Sequence, residues 1–395
     1  MSRIAGHRFL HSPGPTHIPD EVLDAMHRQP MDLADTRLDD IIADCESGLR
    51  YVLGASKATI AMLSANAHGG WEACVENLVP PDKAVLLPGT GHFSQQWGLQ
   101  TEALGREIIN IPWREGYSID PDTVEQALRA DTAGRIAAVF VVHTDTSSST
   151  TNDLAAVRAA IDASGHPALM VVDVVASLAA APFNFDALGV NAAIGGSQKG
   201  LMMPPGLTFV AMDDKARAQM LANTSPRFYW NLERRQSPVS YLKFCGTPPE
   251  HMVMGMQAAM RLLRQEGIEQ VHARHARLAG AVHAAIEGWR EAGMVDFFAR
   301  EPAQRSVSVT TVQVAEGIDP EALRTVAREQ FQVAMAGGNG PLIGRVFRIG
   351  HLGDMNPAMI LGCLGGIEAA MRLQGIAVGA DGLSRAVQHL AAPAG

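Results

Sequence analysis

The sequence predicts an α/β fold with a large domain on a mostly parallel seven-stranded sheet and a smaller C-terminal α+β domain. Seven short apolar runs carry the first part, at residues 58–63, 84–87, 108–111, 136–142, 168–172, 192–194 and 207–212. None alternates in the way of a half-exposed strand, so both faces are expected to be buried, as in a parallel sheet covered by helices. Helical patterns separate the runs, and such alternation places a ligand site at the carboxyl ends of the strands. The last third changes character, with an alternating run at 307–314 among longer helical stretches.

Taken in order, residues 12–19 hold Pro13, Pro15 and Pro19 and read as an extended arm, since proline removes a backbone donor and fixes φ. A helix is expected from about Asp20. Another opens after Asn66 and runs to about Leu78, just before Pro80. Asp120 followed by Pro121 is an N-cap with proline in the first position, and Asp153 opens a helix over 154–163. The stretch 252–289 reads as helix, broken near Gly267, and joins the two domains. Beyond it, 307–314 is expected as a half-exposed strand, 320–330 as a helix, 346–349 as a strand and 357–373 as a long helix. The expected division is an arm at 1–19, a large domain at 20–265 and a small domain at 266–395. No repeat or low-complexity linker interrupts it.

Composition narrows the function. The chain has 395 residues, 47% hydrophobic and 18% charged, the mix of an ordinary globular protein. A net charge of −9 without a long basic run disfavours nucleic acid and anionic membrane as partners. Cys45, Cys74, Cys245 and Cys363 are scattered, which argues against a disulfide framework or structural zinc and fits a reducing, cytoplasmic setting. The first residues show no apolar signal core, the last no peroxisomal address, and no apolar run reaches bilayer length.

Lys199 stands out among five lysines because it lies in Gly195-Gly196-Ser197-Gln198-Lys199-Gly200, between apolar runs. Desolvation lowers an amine from about 10.4 towards neutrality, and a neutral amine attacks carbonyls. The alternative is a lysine snorkelling from a strand end. Asp173 ends an apolar strand 26 residues earlier and is either a helix cap or a carboxylate aimed at a bound cation. Asn66-Ala67-His68-Gly69-Gly70 opens a helix whose N–H groups suit a phosphate, a weak signal alone. The hydroxyl-rich segment 143–150 follows a strand and, by itself, reads as a solvated turn. Arg345 and Arg348 fall on opposite faces of a strand, so one can point inward, either to a structural ion pair or to a ligand carboxylate.

Together these residues resemble the class V aminotransferases of pyridoxal-phosphate fold type I, in the serine–glyoxylate and alanine–glyoxylate aminotransferase branch. The matching blocks, in order, are Ser12-Pro13-Gly14-Pro15-Thr16, His68-Gly69-Gly70-Trp71-Glu72, the strand ending at Asp173, Gly196-Ser197-Gln198-Lys199-Gly200, Ala273-Arg274-His275-Ala276-Arg277-Leu278-Ala279, and Arg345-Val346-Phe347-Arg348-Ile349-Gly350-His351-Leu352-Gly353. The resemblance implies pyridoxal 5'-phosphate as cofactor, Lys199 as its Schiff-base lysine and proton shuttle, and Asp173 as the partner of its ring nitrogen. It implies Phe93 as a stacking ring, Thr146 as a hydroxyl near the ring, and Asn66, Ala67, His68 and Gln198 as phosphate contacts. Thr247 would reach the phosphate of a neighbouring subunit in a homodimer. Arg348 would clamp the substrate carboxylate, with Gly14 at the same end.

The chain departs from the family pattern at several points. Ala34-Asp35 stands where relatives often carry a histidine–arginine pair, Gly246 where a tyrosine is usual, Ala176-Ser177 for a serine pair, and Asn66-Ala67 for serine and glycine. Asp35 is therefore a candidate to meet a cationic or amide-bearing substrate. The expected reaction moves an amino group from a serine- or alanine-like donor to glyoxylate or pyruvate, in ping-pong order. The alternative is a pyridoxamine–pyruvate-type enzyme or one with an atypical donor such as aspartate or ureidoglycine. Against the first, the second carboxylate-clamping arginine of that type would fall near Asn339. A class V lyase would need a mobile cysteine where only Cys363 lies, in a predicted helix. A non-catalytic cofactor-binding protein would not need Lys199, Asp173 and Arg348 together. No G-x-G-x-x-G follows an early strand, so a nicotinamide fold is disfavoured.

Overall fold

The computed structural model describes residue 6 and residues 8–393; the readings made on the chain ends lie partly outside the described residues. All seven apolar runs form one sheet, in the spatial order Thr59–Leu63, Thr208–Met212, Ala192–Gly196, Leu169–Asp173, Ile136–Val142, Ala84–Pro88, Glu107–Ile111. Every neighbouring pair is parallel except the two made by Thr208–Met212, which runs against both its neighbours. Four strands, Ala84–Pro88, Leu169–Asp173, Ala192–Gly196 and Thr208–Met212, are buried at every residue. Separate apolar clusters cover the two faces, one rich in residues of the Arg37–Leu53 and Glu250–Glu266 helices, the other in those of the Ala67–Leu78 helix. That double burial explains why the inner runs do not alternate; the edge strand Glu107–Ile111 corrects the expectation, being exposed at Glu107 and Asn110 and only partly buried elsewhere. The helices between strands begin on side-chain caps at Asn66, Asp120, Asp153 and Asp213, each worth about 1 kcal/mol.

The C-terminal part carries a five-stranded sheet in the order Phe9–His11, Val333–Gly337, Val346–Gly350, Val309–Val314, Val295–Phe297. Its pairs are antiparallel apart from Phe9–His11, which runs parallel to Val333–Met335. The N-terminal arm thus begins as an edge strand of the C-terminal sheet. The Val309–Val314 strand corrects the expectation of a half-exposed strand, because it is buried at all but one position. Its polar residues are satisfied internally. Thr310 Oγ1 and His351 Nε2 lie 2.9 Å apart, and Thr311 Oγ1 donates to the Ser147 carbonyl of the large unit at 3.1 Å. The joining helices are Glu250–Glu266 and Ile268–Trp289, broken at Gly267 with φ 86°. Among the described residues no helix is long and apolar enough to cross a membrane.

Candidate active site

A cavity of about 310 Å³ opens at the carboxyl ends of the parallel strands. Four strand ends deliver functional groups to it. Thr59–Leu63 leads to Asn66, Ala67 and His68, Ile136–Val142 to Thr146, Leu169–Asp173 to its own terminal carboxylate, and Ala192–Gly196 to Gln198 and Lys199. Phe93 enters from the start of the His92–Ala103 helix, and Gly14 and Pro15 from the arm.

Asp173 is 4% exposed, and burial is the main reason its carboxyl is pushed up to about 6. Two donors pull the other way: Val175 N–H at 2.7 Å on Oδ1 and the Trp71 indole N–H at 2.8 Å on Oδ2. Both oxygens are thereby fixed. Lys199 Nζ donates to the Pro13 carbonyl. Burial first, then the Arg348 charge, brings the amine down to about 8, against the pull of Asp173 and Asp145. Gly14, with φ 129°, leaves the room the lysine occupies; a Cβ there would come 2.5 Å from Lys199 Cδ and 2.7 Å from Nζ. Arg348 is 6% exposed and donates to the Gly337 carbonyl at 2.6 Å, the Thr146 carbonyl at 3.0 Å and Asn339 Oδ1 at 3.1 Å. Burial lowers its guanidinium to about 10, which leaves it charged at neutral pH. Arg345, three residues earlier, is exposed and paired with Glu115, as the strand parity requires.

The Ala67–Leu78 helix starts at the cavity, where Asn66 Oδ1 accepts from His68 N–H at 3.1 Å. Its positive end favours an anion. Gly69 and Gly70 serve packing: a Cβ on Gly69 would lie 2.7 Å from Trp230, and one on Gly70 2.7 Å from Ile194 and Thr208. Gln198 Oε1 is buried without a partner among the described residues. An anion-favouring helix start, a buried carboxylate, a softened amine and an unpartnered polar atom on one cavity fit pyridoxal 5'-phosphate.

The structure therefore brings Gly14, Asn66, Ala67, His68, Phe93, Thr146, Asp173, Gln198 and Lys199 to one cavity, with Arg348 held against Thr146. Two other candidates lie elsewhere. Asp35 is outside it, where Arg37 Nε donates to both carboxylate oxygens at 2.9 and 3.0 Å and holds the acid down at about 2. Thr247 is exposed at the surface. Three residues were given no role at the site from the sequence. Asp145 is wholly buried and accepts from Phe93 N–H, Ser94 N–H and Ser147 N–H and Oγ, so segment 143–150 is an interior node rather than a solvated turn. Trp71 and Asn339 act through Asp173 and Arg348. Only Asp145 left a signal, as a second acid just past a strand end.

The family model described as aminotransferase class V matches residues 8–344. The serine–glyoxylate aminotransferase of Methylorubrum extorquens is 35% identical over 384 residues, 95% of this chain and 94% of that protein. The L-aspartate–glyoxylate aminotransferase of Paracoccus denitrificans is 33% identical over 380 residues, again 95% and 94%. Among solved structures, the pyridoxamine–pyruvate aminotransferase of Mesorhizobium loti superposes with a TM-score of 0.86 at 26% identity, covering 98% of each chain.

Proposed function

Because this chain belongs to the class V aminotransferase family and is thereby a pyridoxal-phosphate-dependent transaminase, we propose that it moves the amino group of a small, serine- or alanine-like amino acid to glyoxylate or pyruvate. Lys199, Asp173 and Arg348 carry this reading, as a softened amine set between a buried carboxylate and a buried guanidinium. The bound cofactor supplies an electron-withdrawing ring that accepts the electron pair freed at the substrate α-carbon. Asp173 holds the ring nitrogen's positive charge with both of its oxygens pinned. Lys199 Nζ, near neutrality and able to lose its proton, would take the α-carbon proton and pass it to the cofactor within the same half-reaction, and the second half-reaction would run the transfer in reverse. Arg348 receives the substrate carboxylate, and Phe93 and the Asn66–His68 turn hold the cofactor's ring and phosphate.

Glyoxylate is favoured as acceptor because it is shared by the names of the serine and aspartate relatives, which differ in the donor. A cysteine-dependent lyase finds no support: Cys363 is fully buried and its thiol is pushed up by burial. The working form is a homodimer in which Thr247 serves the neighbouring site. Supporting this, Phe228, Tyr229, Val239, Tyr241 and Leu242 form an exposed apolar band just before Thr247, and Trp230 packs against Gly69 beside His68. The deciding experiment supplies serine, alanine and aspartate with glyoxylate or pyruvate and follows keto-acid formation, with light scattering to read the assembly. Lys199→Ala should abolish turnover and the visible absorbance of lysine-bound cofactor. Full activity in that variant overturns the assignment.

A further inference from the structure

We propose that Asn339 is a specificity-determining residue that fits the substrate end for one carboxylate, so that 2-oxo monocarboxylates are taken and 2-oxo dicarboxylates refused. The inference rests on the transaminase reading above and names its substrate class. Arg348 has five N–H donors and no acceptor. Three are engaged, by the Gly337 carbonyl, the Thr146 carbonyl and Asn339 Oδ1. The two left, one on each terminal nitrogen, suffice for a single carboxylate. A guanidinium only donates, so the Asn339 amide must turn its oxygen to Arg348 and its N–H pair away. The loop leaves its backbone little room to move. A Cβ on Gly338 would overlap the Leu342 carbonyl, and one on Gly340 would lie 2.7 Å from His92 Nδ1, so Asn339 sits between two close contacts.

The charges around Arg348 point the same way. Arg324, the other guanidinium acting on it, is paired with Glu321 and donates to the Met335 carbonyl at 3.1 Å. His92 is held towards its neutral form by burial and by Arg348. Asp145 is saturated by donors from Phe93, Ser94 and Ser147. Lys199 is committed to the cofactor. Among the described residues, this leaves one free cationic face for substrate. A second carboxylate brought beside Asn339 would meet only a neutral amide, with no cation to offset its desolvation.

The test is steady-state kinetics on the cofactor-loaded enzyme with serine as donor. The wild type should use glyoxylate or pyruvate at least a hundredfold better in kcat/KM than oxaloacetate or 2-oxoglutarate. Asn339→Asp would pair with Arg348 and should raise KM for glyoxylate tenfold or more while lowering kcat far less. Its cofactor absorbance and affinity should stay unchanged. Asn339→Ala should show a smaller rise, and Asn339→Arg should shift preference towards the dicarboxylates at least tenfold. Dicarboxylate use within tenfold of glyoxylate in the wild type overturns the inference. So does a set of folded variants that leaves KM and preference unmoved, or one that loses kcat and cofactor together. An enzyme inactive with every donor would instead overturn the transaminase reading, which keeps the two failures apart.

Discussion

At the scale of single residues, the side-chain hydrogen bond that tunes Asp173 is the indole N–H of Trp71. A hydrogen bond to a charged group is worth about 1.5–3 kcal/mol, or roughly one to two pKa units. Trp71→Phe keeps the stack on Trp97, whose ring lies 5.5 Å away at 13°, and deletes only the donor. The carboxyl, already raised by burial, should then rise further and take up a proton nearer neutral pH. Since the ionised form is the one that holds the cofactor ring, the acid limb of the pH–rate profile should move up by about one to two units. Cofactor affinity should fall by roughly tenfold. A profile that stays in place, measured alongside the visible absorbance of bound cofactor, would remove Trp71 from this role. The acid and the lysine were legible in the sequence because each sits at the end of an apolar strand, where a charge needs a reason. Trp71 was not, because its partner lies 102 residues away and nothing local marks the indole as a donor. Asp145 was hidden by its hydroxyl neighbours, which suggest solvent until Thr311 of the small sheet covers them.

At the scale of elements, the Ala192–Gly196 strand is the rail that delivers Lys199. Gly195 lies directly beneath Phe209 of the reversed neighbouring strand, and a Cβ there would overlap the aromatic ring. Phe209 is 1% exposed and has no open side to move towards. Gly195→Ala should therefore cost about 1–3 kcal/mol by overpacking, and shift the strand end that carries the lysine. The expected result is a lowered denaturant midpoint together with slower, weaker cofactor loading. An unchanged midpoint with normal loading would contradict the packing argument. The inner strands of the large sheet could be read from the sequence because double burial makes each a continuous apolar run, and the edge strand Glu107–Ile111 showed through its isoleucines although it is partly exposed. The edge strand Phe9–His11 could not, since it pairs with Val333–Met335 at the far end of the chain and its three residues carry no periodic signal. The Val309–Val314 strand misled for a related reason: polar residues interrupt its apolar ones like those of an exposed face, yet Thr310 and Thr311 spend their hydroxyls on partners inside the protein.

At the scale of the whole molecule, four histidines gather where the arm, the joining helix and the end of the Arg348 strand meet. His11 Nδ1 lies 3.1 Å from the Gly350 carbonyl, His275 Nε2 accepts Gly353 N–H at 3.0 Å, and the rings of His283 and His351 are 6.2 Å apart. Burial holds His11 and His283 near 4, His275 near 3, and His351 well below its ordinary value. In the unfolded chain each titrates near 6.5, so the unfolded state binds more protons whenever the pH is below that value. The contribution to stability is intact above about 6.5 and is lost as pH falls towards 4, on the order of 3 kcal/mol for each histidine with a folded value near 4. Acid should therefore open this seam, and with it the strand that presents Arg348. His283 isolates the effect, because its Nε2 is buried without a partner and its ring meets Phe297 edge-on at 5.6 Å. His283→Phe keeps a ring in place and removes a proton site, so at pH 7.5 the unfolding free energy should hardly change. At pH 5 the variant should exceed the wild type by about 2 kcal/mol, the linkage between 6.5 and 5. Urea unfolding at the two pH values measures this directly. Equal differences at both would mean that the histidine seam does not set the acid limit of the fold.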